Sequence, residues 1–306
     1  MSRKKFITYL LIILTLVMVI DVRYISSENH LFNGFITESI EEMIGMKVQY
    51  TYSSNSIKVE KEGNLKLGKD FLKKNEQIKS FNLKNDFGSI DLKGSQKKEI
   101  NIDYTIKVHA EDKEAAEKFI QDLEIIYNLN DENLKINLNN SQTKTPELIN
   151  VVEIDYRITI PEELKSSLVN QYGFVKVFDL KSDLEVKNSY GSTNIENIEG
   201  PVEVDLAYGN SKINNIDGKI TADSKYGELQ LSQIKDLALE LSYADVKITS
   251  LKDYELYNYN LRADYGNIEA NLGELNYNNQ NQLKYQGQRA KYEIIINSKY
   301  GDINIK

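Results

Sequence analysis

The chain of 306 residues has no cysteine, no tryptophan, three prolines and two histidines. Without cysteine it forms no disulfide, no thiolate metal site and no cysteine nucleophile. Three prolines exclude a long proline-rich linker. His30 and His109 have no convergent partners in the sequence, so neither a histidine-based triad nor a zinc site is expected. We predict no enzymatic activity and no cofactor.

Charge is distributed without any basic cluster beyond the first five residues, and the net charge is −8. Nucleic acid binding is therefore not expected. Arg3, Lys4 and Lys5 precede the apolar run from Phe6 to Ile20, which is typical of an export signal. We predict a signal or transmembrane anchor at residues 1–27. It would leave the C-terminal domain outside the cytoplasm after a single pass, or secrete it if cleaved.

The first half of the chain divides by pattern into two further regions. Residues 28–80 contain a short amphipathic stretch and then a Lys-, Ser- and Asn-rich stretch, which predict a juxtamembrane helix and a linker. Residues 81–165 alternate in the manner of strands, with a helix predicted from Asp112 to about Tyr127. We predict that this β-β-α-β-β block caps the region that follows.

Residues 166–306 repeat a Tyr-Gly pair, with Ala244 in place of the glycine after Tyr243. The first four tyrosines are 18 residues apart and the later ones are spaced more loosely; in chain order they are Tyr172, Tyr190, Tyr208, Tyr226, Tyr243, Tyr265 and Tyr300. Apolar residues recur three and five positions after most of them, as at Val175 and Val177, a period of two that indicates strands with one buried face. Phe87-Gly88 fits the same template.

Two short strands in 18 residues leave no room for a crossover helix. We therefore predict a mainly β fold, a single-stranded parallel β-helix or solenoid of about 18-residue coils in which like residues stack in columns. Coil handedness stays open. The last residues, Ile303 to Lys306, resemble a rung without a cap. An exposed strand edge there would allow weak end-to-end self-association.

The strand–helix–strand–strand order, then Ile160-Pro161-Glu162-Glu163-Leu164, then serial Tyr-Gly-x-Val/Ile-x-Ile rungs, resembles the bacterial putative-adhesin domain of unknown function. The resemblance covers roughly residues 80–306. It implies an exported or membrane-anchored β-solenoid and supplies no catalytic motif. Tyrosine before nearly every glycine departs from the family, where a small or polar residue is more common.

Two columns are candidate sites. The seven tyrosines form a candidate ligand-contact ladder, whose rings would offer faces to sugars or simply pack at a corner with their hydroxyls in water. Asp205 and Asp223 would stack on an outward face, as in carbohydrate-active β-helix enzymes, but Lys187 and Arg262 fall in the same column. A solvated ladder of mixed charge is the simpler interpretation.

The predicted function is an exported, membrane-anchored, non-enzymatic module that acts as an adhesin or binds the cell envelope. The expected partners are the membrane, through the N-terminal segment, and a glycan or envelope protein. Two alternatives stay open: an envelope-stress sensor or regulator, and a polysaccharide-active β-helix enzyme that uses Asp205 and Asp223.

Overall fold

The computed structural model describes residues 56–140, 145–249, 251, 253–273 and 275–306. The predicted signal or anchor and the amphipathic stretch of residues 28–48 lie outside these ranges. Within them, no helix is both long enough and apolar enough to cross a membrane.

Alternation of apolar and polar residues produces strands through almost all of the described chain, because every second side chain then reaches one buried face. In chain order the elements are β1 (Ile57–Leu67), α1 (Lys69–Lys74), β2 (Ser80–Phe87), β3 (Ile90–Ser95), β4 (Ile100–Ala110), α2 (Lys113–Gln121), β5 (Leu123–Asn130), β6 (Asn133–Asn140), β7 (Ile149–Pro161), β8 (Lys165–Tyr172), β9 (Val175–Leu180), β10 (Leu184–Tyr190) and β11 (Thr193–Ile198). They continue with β12 (Val202–Tyr208), β13 (Ser211–Ile216), β14 (Ile220–Ser232), β15 (Leu237–Thr249), a 3₁₀ turn (Tyr254–Leu256), β16 (Tyr257–Ala263), β17 (Ile268–Leu272), β18 (Leu275–Gln280), β19 (Gln282–Gln286), β20 (Tyr292–Lys299) and β21 (Ile303–Ile305).

The strands build two parallel ladders. In the first, β6, β2, β8, β10, β12, the start of β14, the start of β15, β20 and β16 follow one another. In the second, the order is β7, β3, β9, β11, β13, the ends of β14 and β15, β21 and β17. Most turns of the chain give one strand to each ladder, so the predicted mainly β, solenoid-like fold is confirmed.

Register follows the repeat. Val186 pairs with Val204 on the first ladder, and Ile195 pairs with Ile213 on the second. All four side chains are buried. A one-residue slip would turn every apolar side chain outward, so the alternation fixes the register. Burying each aliphatic side chain contributes about 1.5–3 kcal/mol, and the core runs without a break from the N-terminal strands to the last coil.

The N-terminal part is richer in strands than the sequence indicates. Residues 57–67 were predicted to lie in a linker but form β1, which pairs antiparallel with β4 over eleven residues. The helix predicted to reach Tyr127 ends at Gln121. Its N-cap is confirmed, since the Asp112 carboxylate accepts the Ala115 N–H at 2.7 Å. Residues 123–130 instead form β5, antiparallel to β6, because pairing with a strand outweighs local helix preference.

The C-terminal coil does not end the stack. β20 lies between β15 and β16, and β21 lies between β15 and β17. After β15 the chain leaves one coil position of the stack open and forms β16 and β17 beyond it. It then turns back through the antiparallel strands β18 and β19, and β20 and β21 occupy the open position last. The expectation that the last rung exposes a strand edge is therefore wrong, because β21 is paired on both sides.

Candidate functional site: a ladder of stacked aromatic rings

Eight aromatic rings stack along one corner of the coils and form what we call the aromatic ladder. In spatial order it consists of Phe87, Tyr172, Tyr190, Tyr208, Tyr226, Tyr243, Tyr300 and Tyr265. Neighbouring ring centroids are 4.6–5.3 Å apart and the rings are within 10° of parallel. The seven steps follow the strand spacing, so the ladder is about 30–35 Å long.

All seven candidate tyrosines thus lie in the ladder, in an order that differs from the chain order. Tyr300 stacks between Tyr243 and Tyr265 because it belongs to the inserted coil. Phe87 completes the ladder at the other end. It was absent from the candidate residues, although the Phe87-Gly88 match to the repeat template already pointed to it.

Two backbone conformations turn the corner. In the early coils the glycine after the ring has positive φ, as at Gly173 (135°) and Gly209 (137°). In later coils the ring residue itself is left-handed, at Tyr226 (57°) and Tyr243 (58°). Because the tyrosine then carries the unusual conformation, the following residue no longer needs a positive φ. Ala244, which follows Tyr243, therefore occupies the glycine column without an unfavourable backbone conformation.

Glycine has a second role in the early coils, where successive backbones approach closely. A Cβ on Gly173 would lie 2.1 Å from the carbonyl oxygen of Gly88, and one on Gly191 would lie 1.9 Å from that of Gly173. Both contacts are with backbone, so a side chain would force the rungs apart. Close backbone stacking therefore holds the rings at their short, regular separation.

The ladder exposes ring edges more than ring faces. The five rings towards the C-terminal end are exposed by between 38% at Tyr300 and 67% at Tyr265. Since each ring inside the ladder covers its neighbour's face, a sugar cannot lie flat on a face between two rungs. The pKa of the Tyr190 phenol is raised, first by burial and then by Tyr172 and Tyr208. The hydroxyl therefore stays protonated at neutral pH and available as a hydrogen-bond donor.

Polar groups border the ladder on both sides. The Lys299 ammonium lies 5.7 Å from the centroid of the Tyr300 ring. Two residues beyond the ring, the Asp245 carboxylate accepts the Asp302 N–H, and the Asp302 carboxylate accepts the Asn267 N–H, both at 2.8 Å. These bonds tie successive coils together just beyond the ladder and leave carboxylates beside it.

Inside the corner runs a buried column that the sequence analysis did not identify. Asn85, Asn170 and Asn188 lie in register two residues before their rings and are 4% exposed or less. The Asn188 amide donates to the carbonyl oxygens of Gly173 and Gly191 at 3.3 and 3.2 Å. The Asn188 amide thereby satisfies corner carbonyls that lie outside the two ladders of paired strands, and the Asn85 amide donates to the Ile154 carbonyl oxygen at 3.0 Å. The sequence contains a signal for this column, because Asn stands two residues before each of the first three rings of the ladder.

The charged column follows the predicted register. Lys187, Asp205, Asp223 and Glu240 are consecutive partners on the first ladder. The next position is Asn297 from the inserted coil, whose amide donates to the Glu240 carboxylate at 2.7 Å. Asp223 also pairs with Lys225 at 3.5 Å. The two aspartates are therefore adjacent, but within a solvated ladder of mixed charge.

Other candidate chemistry is scattered. The His109 Nε2 is 3.6 Å from a Glu153 carboxylate oxygen on the neighbouring strand, whereas His30 lies outside the described residues. Over the ranges that the structure describes, no group of three or more His, Cys, Asp and Glu residues is placed to hold a metal ion.

Comparison with known proteins places the chain in a family. A family model described as Toastrack DUF4097 matches residues 20–306, nearly the whole chain. The chain belongs to the Toastrack DUF4097 family. The resemblance to an adhesin-like domain of unknown function is thereby confirmed. No curated protein matches this Toastrack chain.

Two crystal structures are similar to the Toastrack chain. One is of a "putative cell adhesion protein" from Clostridium sporogenes, with 15% identity over 81% of this chain and 99% of that one, at a TM-score of 0.32. The other is of a "putative adhesin" from Bacteroides fragilis, with 13% identity over 80% of this chain and 97% of that one, at a TM-score of 0.41.

Proposed function

We propose that this Toastrack-family protein is an exported, membrane-anchored, non-enzymatic module that binds the cell envelope or another surface by contact. The observation that carries this proposal is the aromatic ladder. A soluble protein gains little from leaving five stacked tyrosines in water, and exposed aromatics in a regular array are typical of binding surfaces. The stack of hydrogen-bonded coils holds the array rigid.

The geometry favours a ligand that itself repeats. Each rung presents the same ring edge and the same hydroxyl, one strand spacing from the next. An extended glycan has a hydroxyl-rich repeating edge and would meet equivalent groups along the ladder. Binding would therefore rest on many weak hydrogen bonds and edge contacts in a row, whose combined strength depends on the number of rungs engaged.

The membrane anchor is proposed from the N-terminal sequence. It rests on the basic start at Arg3 to Lys5 and the apolar run from Phe6 to Ile20, which lie outside the described residues. An anchor there would place the solenoid at the outer face of the membrane. An envelope sensor would use the same arrangement but would respond to its ligand through a membrane protein partner.

Catalysis at Asp205 and Asp223 is less favoured. Adjacent carboxylates at strand spacing approach the separation used by retaining glycosidases. However, Lys187 and Lys225 offer charge partners in or beside the column, and both lysines and Asp223 are about half exposed. Two carboxyl groups in such a solvated row have similar environments, and their pKa values are not separated into those of a general acid and a general base.

The test is binding of the purified full-length protein to isolated cell wall and to immobilised glycans. Replacing three exposed ladder residues together, Tyr208→Ser, Tyr226→Ser and Tyr243→Ser, is expected to weaken binding at least ten-fold. Tyr127→Ser is the matched control, because this tyrosine is 39% exposed but lies outside the ladder. If the wild type binds no wall or glycan but co-purifies with a membrane protein, the sensor alternative replaces this proposal.

A further inference from the structure

We propose that the aromatic ladder is a site of oxidative cross-linking, at which a peroxidase using hydrogen peroxide joins tyrosines on adjacent coils as dityrosine. This inference concerns the chemistry of the rings themselves and does not depend on what the surface binds. It rests on the stacking distances, on exposure and on the absence of cysteine, which excludes a disulfide.

The ladder contains six tyrosine–tyrosine contacts in an unbroken row. Their centroids are 4.6–5.3 Å apart and the rings are nearly parallel. A phenoxyl radical formed on one ring already has its coupling partner on the next coil. Coupling then needs only a tilt of two rings rather than a search through solution, which is the advantage that proximity gives any bimolecular step.

Hydrogen peroxide is the oxidant for the coupling. Each of two phenols gives one electron and one proton to the peroxide-oxidised enzyme. The two radicals couple between carbons ortho to their oxygens, and both rings regain aromaticity when the two ortho protons leave to solvent and the phenol oxygens are reprotonated. In total, two tyrosines and one hydrogen peroxide give one dityrosine and two waters, with the peroxide O–O bond broken.

Exposure directs the oxidant to the ladder. Tyr243 and Tyr265 are 45% and 67% exposed. Tyrosine pairs also occur away from the ladder, but their ring centroids are 5.4–6.0 Å apart and their rings are tilted by 42–57°. Of these residues, Tyr257 and Tyr259 are only 6% and 2% exposed, and Tyr254 and Tyr285 are half-buried. Proximity and access therefore coincide in the aromatic ladder.

The most consequential bond involves Tyr300. It lies in the inserted coil, 4.6 Å from the Tyr243 ring and 4.7 Å from the Tyr265 ring. Coupling to either partner would fix the C-terminal coil in its position and close a loop of several tens of residues. A chain without cysteine has no disulfide to do this. Such a closure raises stability mainly by restricting the unfolded chain.

The experiment treats dilute full-length protein with a haem peroxidase and hydrogen peroxide. Dityrosine is followed by its fluorescence, and its positions are mapped by mass spectrometry of peptides. The expected products are cross-links within one chain between neighbouring ladder tyrosines, each lowering the mass by two hydrogens. The midpoint of thermal unfolding is expected to rise on the order of 10 °C when Tyr300 is coupled.

The decisive variant combines Tyr190→Phe, Tyr226→Phe and Tyr300→Phe, so that no two tyrosines remain adjacent in the ladder. Phe87 shows that the column accepts phenylalanine, so the variant is expected to fold with unchanged circular dichroism. Its dityrosine yield should fall at least ten-fold, whereas the control Tyr127→Phe with Tyr277→Phe should keep the wild-type yield. An unchanged yield in the alternating variant, cross-links that map away from the ladder, or cross-links only between separate molecules would overturn the proposal.

Discussion

Replacing Ile296 by alanine tests the position of the C-terminal coil. Ile296 is fully buried on β20, between Leu239 on β15 and Leu261 on β16. Truncating a buried isoleucine to alanine costs about 2–5 kcal/mol. The backbone ladders hold the rungs on both sides in place, so the cavity cannot collapse. We therefore expect a loss of about 3–5 kcal/mol in the free energy of unfolding.

The neighbouring residue provides the matched control. Ile295 lies on the same strand with the opposite orientation and is only half-buried. Ile295→Ala removes the same atoms and is expected to cost less than about 1.5 kcal/mol, because little of the side chain leaves the core. Urea unfolding of the full-length protein gives both values, and an unchanged slope would show that the comparison is sound.

Amide hydrogen exchange then distinguishes the two possible coil orders. With β20 inserted, Ile296→Ala should speed exchange in both β15 and β16, since it loosens both interfaces. If the last coil were instead stacked at the end in chain order, β15 would keep its wild-type protection. Unchanged exchange in Leu237–Thr249 would refute the inserted arrangement, and equal destabilisation by the two alanine variants would refute the assigned orientation of β20.

Three further predictions follow from single contacts. Gly173→Ala should lower the free energy of unfolding by at least about 3 kcal/mol, because Gly173 has a positive φ and a Cβ there would clash with the Gly88 carbonyl. The control Gly68→Ala has open space around the new Cβ and should change it by no more than about 1 kcal/mol. Thermal unfolding measures both variants. Burial disfavours ionised Asp155, but hydrogen bonds from Lys107 and Ser89 outweigh this and lower its pKa. Its contribution to stability is therefore fully present above the ordinary aspartate pKa of about 3.9 and is lost as the pH falls through the lowered pKa. Asp155→Asn should reduce the loss of unfolding free energy at acidic pH, measured by unfolding at a series of pH values. The same loss in the variant as in the wild type would contradict the role of Asp155. The wild type should release no product from uronic acid polymers, and release abolished by Asp205→Asn would restore the enzymatic interpretation.

The repeat in the sequence was enough to predict the columns. Tyrosine, glycine and aliphatic residues recur at fixed offsets, and in a parallel stack equal offsets become vertical neighbours. The stacking of Tyr190, Tyr208 and Tyr226 therefore follows from spacing alone, as does the register of Lys187, Asp205 and Asp223. The alternation of period two likewise determines which side chains enter the core.

Only the tertiary structure decided which coils are neighbours. The coils of Tyr243, Tyr265 and Tyr300 carry nearly the same template, so each would pair acceptably with any other, and no local signal distinguishes insertion from simple addition. Tertiary contacts likewise decided that β1 and β5 are strands. Their local sequence patterns are weak, and they form because β4 and β6 offer unpaired edges. A repeated sequence specifies what a rung is and what it buries; the place of each rung depends on contacts between residues far apart in the chain.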